Sequence, residues 1–288
     1  RGEPLAGRRI AVWSQLGVGD EIMMCGQLPA LRAAGAEVLL EATERLIPLL
    51  SRSMPWLALA PARTADDRPA DGLRDPAVDF KIGIGDLDAW FPPPDRPRLP
   101  YLQAAPEAAA RRRANYRRLG SGPLVGIAWR SAAAVGAAKS TALADWRAHL
   151  AAGPAVIVAD HDGDTREERA AMAAMGVAVH HDPEVDPLRD LDAHASQLAA
   201  LDLVISTSNT AAHLAGALGV ATWTLLPGPD GLLWYWGGGG DRSPWYDSMR
   251  LIRPRPAGTG GIDLEAAAAR FADWRSRFGA GEGGHGRA

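Results

Sequence analysis

The sequence is poor in cysteine and contains no long apolar run. Its single cysteine, Cys25, excludes an intramolecular disulfide bond, and no hydrophobic segment approaches the length of a transmembrane helix. No secretory signal opens the chain, so we expect a cytoplasmic protein. Because the chain begins at Arg1, we expect it to be the processed or excised end of a longer one.

A strong charge of one sign is also missing. The formal net charge is −3, and the arginines are spread along the chain apart from the run Arg111 to Arg113, which we interpret as a solvated helix face. Nucleic-acid-binding domains usually carry a concentrated basic patch. We therefore expect no nucleic-acid partner.

What is present is a repeated alternation of strands and helices. The chain has 288 residues, 47% of them hydrophobic, which is enough for two globular domains of modest size. Strands are predicted in one series at 8–15, 37–42 and 79–83, and in a second series at 124–129, 155–159, 178–180, 201–206 and 221–226. Helices are predicted at 21–34, 46–53, 105–119 and 262–278. This alternation predicts an α/β protein with two Rossmann-like, doubly wound lobes.

The stretch 201–227 is the most informative part of the chain. It reads as a buried strand, a polar turn, a helix of small residues and a second buried strand. Free backbone N–H groups at a helix start, together with the helix dipole, favour an anion at the carboxyl end of a parallel strand. We therefore predict that Ser208, Asn209 and Thr210 bind the phosphate groups of a ligand.

This stretch resembles the nucleotide-sugar site of bacterial glycosyltransferases related to the lipopolysaccharide heptosyltransferases, especially the group linked to tetratricopeptide repeats. In that family an Asp-Thr pair often precedes a His-Leu-Ala-Gly-Ala-Leu-Gly run; here the run is 213–219, and Ser208 and Asn209 replace the pair. The segments 126–131 (GIAWRS) and 243–246 (SPWY) match as well. The resemblance implies the GT-B fold, which divides the chain into an acceptor-side lobe at 1–104, a linker helix at 105–122, a nucleotide-sugar-binding lobe at 123–256, and a C-terminal helix with a mobile tail at 257–288.

The turn after the first strand carries the candidate catalytic residues. Gly17 and Gly19, which we also assign to the donor site, let the backbone turn sharply where an α/β lobe presents reactive groups. The resemblance implies that Asp20 takes the proton from the acceptor hydroxyl, with Glu21 as the neighbouring alternative. Partial burial would raise the pKa of Asp20 and suit it to that task. The competing interpretation is that Asp20 only caps the following helix.

Four further side chains are predicted to contact the donor. Arg130 follows a strand, and Lys139 lies in the same loop at 132–140; either could neutralise a diphosphate or be a surface charge. His213 lies a few residues into the phosphate-facing helix, where it hydrogen-bonds the donor or packs between helix and sheet. Trp234 opens an aromatic segment at 234–246, expected to be mobile, that stacks on a base or sugar or seals the hinge between the lobes.

We expect no metal and no cofactor. The acidic run at 160–164 resembles the D-x-D element of metal-dependent transferases, but this is a weak pattern, and its glycine is misplaced for a calcium-binding EF-hand. Ile22 occupies the place of the third glycine of a dinucleotide fingerprint, which excludes a typical NAD site.

The sequence therefore predicts a glycosyltransferase that acts by metal-independent inverting displacement. The nucleotide-sugar is a substrate, the acceptor is a protein or a glycan, and a tetratricopeptide-repeat region of the same polypeptide is an expected partner. A lipopolysaccharide core heptosyltransferase-like enzyme, a non-catalytic module that binds a nucleotide-sugar or glycan, and an epimerase of the same build remain as alternatives. The residues leave the donor base and sugar open.

Overall fold

Two parallel β-sheets with flanking helices make up the computed structural model of the chain, which describes residues 3–14, 16–62, 75–90, 99–131, 136–151, 155–159, 164–254 and 261–279. We call the first sheet with its helices the first lobe and the second sheet with its helices the second lobe. Two lobes of this kind confirm the predicted α/β class.

The first lobe has a four-stranded sheet in the order β3-β2-β1-β4. Its strands are β1 (Arg9–Trp13), β2 (Glu37–Ala42), β3 (Ala58–Pro61) and β4 (Phe80–Gly83), and its helices are α1 (Val18–Cys25), α2 (Leu28–Ala33) and α3 (Ile47–Ser53). All of the strand pairs are parallel. Helix α4 (Pro106–Arg117) follows within the predicted linker.

The second lobe has a six-stranded parallel sheet in the order β10-β9-β8-β5-β6-β7. Its strands are β5 (Leu124–Ala128), β6 (Val156–Ala159), β7 (Val179–His180), β8 (Leu203–Thr207), β9 (Thr222–Leu225) and β10 (Met249–Ile252). Its helices are α5 (Arg147–Leu150), α6 (Arg166–Ala174), α7 (Leu191–Ala199), α8 (Thr210–Leu218) and α9 (Leu264–Gly279). Counted in chain order, this is the 3-2-1-4-5-6 arrangement of dinucleotide-binding folds, with its switch point between β5 and β8.

The predicted helix at 21–34 is two helices in the structure. Helix α1 ends at Cys25, and Gly26 packs so closely on Tyr101 that a Cβ there would lie 2.7 Å from the Tyr101 ring. Pro29 then lies in the first turn of α2, where a proline is tolerated because the first N–H groups of a helix have no partner inside it. The chain therefore bends between α1 and α2.

The buried apolar residues form two clusters. One runs from the first lobe through α1, α4, α7 and α8 to one face of the second sheet, so the lobes share a continuous core. The other lies between the opposite face of that sheet and helices α5, α6 and α9. Among the described residues, no helix is both long enough and apolar enough to cross a membrane.

Candidate functional site

The fold brings the carboxyl ends of several strands to one place. Strand order reverses between β1 and β4 in the first lobe and between β5 and β8 in the second. In open α/β sheets, ligands bind outside the carboxyl ends of the strands at such switch points. Apart from Trp234, which follows β9, the predicted site residues follow β1, β5 and β8, so the topology places them at the carboxyl edges of the two sheets.

Helix α1 of the first lobe packs directly on α8 of the second. A Cβ added to Gly19 would lie 3.2 Å from Cδ2 of His213 and 3.4 Å from Cα of Thr210. The first distance is shorter than an ordinary contact and the second is at its lower limit, so a glycine at position 19 lets the two helix starts approach. Gly17 caps α1 with extended backbone angles, and a Cβ there would meet its nearest neighbour at 3.6 Å. Close packing therefore accounts for a glycine at position 19 but not for the glycine at position 17.

Asp20 lies at this contact and faces the second lobe. Burial raises the pKa of its carboxyl, while the nearby Tyr235 hydroxyl and the charge of Lys139 act in the opposite direction. A raised pKa makes a carboxylate a better proton acceptor than an ordinary aspartate. Asp20 therefore has the environment expected of a general base.

Glu21 points the other way, into the first lobe. Its side chain is fully buried and accepts hydrogen bonds from the Ser14 hydroxyl at 2.8 Å, the Thr43 amide at 2.9 Å and the Thr43 hydroxyl at 2.6 Å. Burial raises the pKa of Glu21, and these bonds oppose the increase. Its contacts tie together the ends of β1 and β2, whereas Asp20 faces the cleft.

Asn209 caps α8 with its side chain. Its Oδ1 accepts hydrogen bonds from the Ala212 amide at 3.3 Å and the Ser206 hydroxyl at 2.9 Å, and its Nδ2 donates to the Arg130 carbonyl at 3.0 Å. The amide therefore links the start of α8 to the loop after β5. A carboxylate could not make the third of these bonds, because it has no hydrogen to donate.

The two predicted cations have different surroundings. The Lys139 side chain is only 4% exposed; burial lowers its pKa, and the charge of Asp20 raises it. Arg130 forms an ion pair with Glu168 at 3.1 Å and lies over the Trp129 ring at 5.7 Å from the centroid. Lys139 is thus a cation that faces Asp20, and Arg130 is linked to the start of α8 through its backbone carbonyl.

His213 lies behind the start of α8 in a cage of aromatic rings. It is 2% exposed, and its ring stacks on Trp236 with centroids 5.0 Å apart. Its Nδ1 lies 3.0 Å from the Tyr246 hydroxyl and its Nε2 lies 3.4 Å from the Tyr235 hydroxyl. Burial, helped by the charge of Lys139, lowers the pKa of His213 to about 3, so the ring is neutral. A direct bond from His213 to the donor would require one of the tyrosine contacts to break.

The aromatic segment at 234–246 is packed onto this cage. Four of its aromatic side chains are buried, namely Tyr235, Trp236, Trp245 and Tyr246, whereas Trp234 is 66% exposed. Sequence reasoning selected Trp234 and missed Tyr235, whose hydroxyl lies 3.4 Å from Nε2 of His213 and close enough to Asp20 to affect its pKa. The Trp-Tyr-Trp and Ser-Pro-Trp-Tyr runs are the sequence features that could have pointed to these buried aromatic residues.

The acidic run at 160–164 lies largely outside the described residues. Its last member, Asp164, forms an ion pair with Arg166 at 2.6 Å, which holds the pKa of that carboxyl well below its usual range. Among the described residues, no group of three or more His, Cys, Asp or Glu side chains could hold a metal ion. Metal independence stays a prediction.

No protein-family model matches the chain. Protein FlbA of Caulobacter vibrioides is 32% identical over 278 residues, a match that covers 87% of this chain and 44% of FlbA. The chain therefore spans less than half of that relative.

Solved structures share the fold. A family 9 glycosyl transferase from Veillonella parvula has a TM-score of 0.64 and 14% identity, covering 94% of this chain and 98% of its own. The ADP-heptose lipopolysaccharide heptosyltransferase II of E. coli has a TM-score of 0.61 and 17% identity, covering 92% of this chain and 99% of its own. At these identities the likeness shows the GT-B-like fold.

Proposed function

We propose that the protein is a glycosyltransferase that moves a sugar from a nucleotide-activated donor to an acceptor hydroxyl by metal-independent inverting displacement. The observation that carries the proposal is the position of Asp20, a partly buried carboxylate held opposite Lys139 and the start of α8. In a displacement reaction a base on one lobe can activate the acceptor hydroxyl, and a cation and a helix start on the other lobe can stabilise the leaving diphosphate.

Asp20 is the general base of this reaction. Its carboxylate takes the proton of the acceptor hydroxyl as the hydroxyl oxygen forms a bond to the anomeric carbon. The bond from that carbon to the diphosphate oxygen breaks on the opposite face, so the configuration inverts. The raised pKa makes Asp20 a stronger base than an ordinary aspartate. Glu21 holds the turn in place beneath it.

The second lobe holds the departing nucleoside diphosphate. Lys139 supplies a positive charge, and the backbone N–H groups from Ser208 to Thr210, which lead into α8, supply hydrogen-bond donors and the positive end of the helix dipole. Arg130 would add a second cation on leaving its ion pair with Glu168. Trp234 exposes an aromatic ring beside Tyr235, where a base or sugar can stack.

The donor is a nucleoside-diphosphate sugar, and the first to test is an ADP-linked sugar, because the E. coli enzyme of the same fold is named for ADP-heptose. The acceptor we propose first is a protein, presented by a tetratricopeptide-repeat region of the same polypeptide in the cytoplasm. A lipopolysaccharide core acceptor is supported equally, by the same structural neighbour.

Calorimetric titration of the purified chain with ADP, UDP, GDP and CMP tests the donor site. One nucleotide should bind, and Lys139→Met should weaken that binding about tenfold or more, because it removes a buried charge facing the phosphates. Lys81→Met, at an exposed lysine of β4, should bind like the parent. Failure of all four nucleotides to bind would contradict the proposed donor site.

Transfer is then followed with a radiolabelled sugar donor and two acceptors, a bacterial protein fraction and lipopolysaccharide core. Label in protein supports the first acceptor, and label in lipopolysaccharide supports the second. Asp20→Asn should bind the donor but transfer sugar about a hundredfold or more slowly, whereas Asp273→Asn, at an exposed carboxylate of α9, should transfer normally. Binding without transfer in the parent would favour a non-catalytic module, and interconversion of the donor without an acceptor would favour an epimerase.

A further inference from the structure

The backbone and the side chain of Arg130 contact two different helices. Its carbonyl oxygen accepts a hydrogen bond from Nδ2 of Asn209 at 3.0 Å, at the start of α8. Its Nη2 lies 3.1 Å from Oε2 of Glu168, in the first turn of α6. Arg130 therefore lies beside the proposed phosphate site while its guanidinium is paired with a carboxylate.

Both members of this ion pair contact Trp129. The Trp129 indole N–H donates to Oε1 of Glu168 at 3.4 Å, and the Arg130 guanidinium carbon lies over the Trp129 ring, 5.7 Å from its centroid. The Trp129 side chain is fully buried in the core of the second lobe, so it is a fixed support. The pair is therefore held in place by the fold.

The ion pair lies at the edge of the sheet where the donor is proposed to bind. Arg130 follows β5, and α6, which carries Glu168, follows β6. Strand β5 pairs with β6 on one side and with β8 on the other, so these segments leave the carboxyl edge of the same sheet as the start of α8. The Arg130 and Glu168 side chains are 37% and 31% exposed, so an anion that enters from solvent can reach the guanidinium.

A diphosphate and the Glu168 carboxylate bind arginine through the same donors. The guanidinium presents a planar fork of N–H groups that fits carboxylate and phosphate oxygens alike. A partly exposed ion pair contributes little net stability, so breaking it costs little. A diphosphate carries more than one negative charge and is also attracted by Lys139 and by the start of α8. It can therefore displace Glu168 from Arg130.

We propose that Glu168 competes with the donor diphosphate for Arg130: it holds the guanidinium before the donor binds, releases it to the diphosphate in the complex, and pairs with it again as the nucleoside diphosphate leaves. The inference rests on the proposed function, since it concerns the same donor site. The product carries more negative charge than the donor, because its terminal phosphate is no longer esterified. Competition for Arg130 weakens the binding of that product and speeds its release, a step that limits turnover in many enzymes. Glu168 is thus a positioning residue, which acts through Arg130.

Calorimetric titration with ADP and with inorganic pyrophosphate tests the competition without any turnover. Glu168→Gln should tighten the binding of both about two- to fivefold, the range expected when a partly exposed ion pair no longer has to be broken. Glutamine keeps the oxygen that accepts from the Trp129 indole, so only the charge is lost. A variant that merely disturbed the site would bind more weakly, which is the opposite sign.

Glu167→Gln is the matched control. Glu167 is an exposed carboxylate in the same turn of α6, and its substitution changes the net charge by the same amount. This variant should bind both ligands like the parent, because an exposed charge outside the site is screened by solvent and salt. If Glu168→Gln does not fold, Glu168→Ala takes its place and should also bind more tightly than the parent.

A double-mutant cycle with Arg130→Met separates competition from simple repulsion between Glu168 and the phosphates. Glu168→Gln should tighten binding less when residue 130 is methionine than when it is arginine, because no guanidinium remains to be released. An equal gain in both backgrounds would overturn the proposal, and so would a Glu168→Gln variant that binds no more tightly than the parent.

Transfer assays distinguish this inference from the proposed function. In an active enzyme, ADP should inhibit Glu168→Gln about two- to fivefold more strongly than the parent. If the parent transfers no sugar but the gain in affinity still depends on Arg130, the competition stands and the transferase proposal fails. If sugar is transferred and Glu168→Gln changes neither affinity, the competition fails and the transferase proposal stands. If ADP and pyrophosphate bind neither the parent nor Glu168→Gln, both fail.

Discussion

Arg52 of the first lobe forms a two-pronged ion pair with Asp192 of the second. The Arg52 Nη1 donates to Asp192 Oδ2 at 3.0 Å, and Nη2 donates to the other carboxylate oxygen. The Arg52 Nε also donates to the Gln103 carbonyl at 2.8 Å. The guanidinium thus joins α3 of the first lobe to the segment before α4 and to the start of α7 in the second lobe.

Arg52→Ala should therefore lower the free energy of unfolding by about 1 kcal/mol, since the pair is bidentate and its side chains are 28% and 25% exposed. Urea unfolding measures the change. The control is Arg277→Ala, which breaks an exposed pair with Asp273 within α9 and should cost about 0.5 kcal/mol or less. Equal losses in the two variants would show that the Arg52 pair adds nothing beyond a surface contact.

A second prediction concerns the contact between α1 and α8. Gly19→Ala places a methyl group 3.2 Å from the His213 ring and 3.4 Å from the Thr210 backbone, so the His213 ring or the start of α8 must shift by a few tenths of an ångström. Overpacking of this kind costs about 1–3 kcal/mol, and donor binding should weaken with it. Gly17→Ala meets only an ordinary contact at 3.6 Å and should change stability by about 0.5 kcal/mol or less. Urea unfolding and nucleotide titration compare the two variants. If Gly19→Ala changes neither stability nor nucleotide binding, the close packing of α1 on α8 does not require a glycine at this position.

Much of the fold could be predicted from sequence because buried parallel strands and the helices between them leave a strong pattern. Strands β5 and β8 were predicted with ends within one or two residues of those observed. Strands β3 and β10 were not predicted. β3 is short, only partly buried and ends at Pro61, and β10 follows an aromatic segment that obscures its pattern. Such edge strands carry too little apolar alternation to stand out.

The site could be predicted where a single local motif carries it and could not where it depends on two lobes meeting. Asp20 and Asn209 lie in turns whose residue types indicate their positions. Tyr235 acquires its place only because the aromatic segment folds back on α8 and α8 packs on α1. Nothing in the residues around Tyr235 indicates that it lies beside His213 of α8 and near the carboxylate of Asp20 in the other lobe.

A third prediction follows from the protonation of Asp20. Its folded pKa is raised above the ordinary 3.8, so the native state holds the proton more tightly than the unfolded chain does. The stability that Asp20 contributes is complete below pH 3.8 and is lost as pH rises through the raised pKa. Asp20→Asn should remove that loss, so at pH 7 the variant should be at least as stable as the parent although it is inactive.

Urea unfolding between pH 3 and pH 8 measures this dependence, and Asp79→Asn is a control of opposite sign. Hydrogen bonds from the Arg9 amide and the Arg8 side chain lower the pKa of Asp79. Its contribution is present above pH 3.8 and is lost as pH falls through the lowered pKa. Asp79→Asn should therefore destabilise the chain at pH 7. An Asp20→Asn variant less stable than the parent at pH 7 would contradict the raised pKa.

The last prediction separates two tryptophans that are two positions apart. Trp234 is 66% exposed, so Trp234→Ala should change the free energy of unfolding by about 0.5 kcal/mol or less while weakening donor or acceptor binding severalfold through loss of a stacking surface. Trp236 is fully buried, stacks on His213 and donates to Ser208; Trp236→Ala should cost about 3–5 kcal/mol. Urea unfolding and nucleotide titration distinguish the two effects. If Trp234→Ala binds donor and acceptor as the parent does, the Trp234 ring lies outside the site, and the aromatic segment supports the site only through its buried residues.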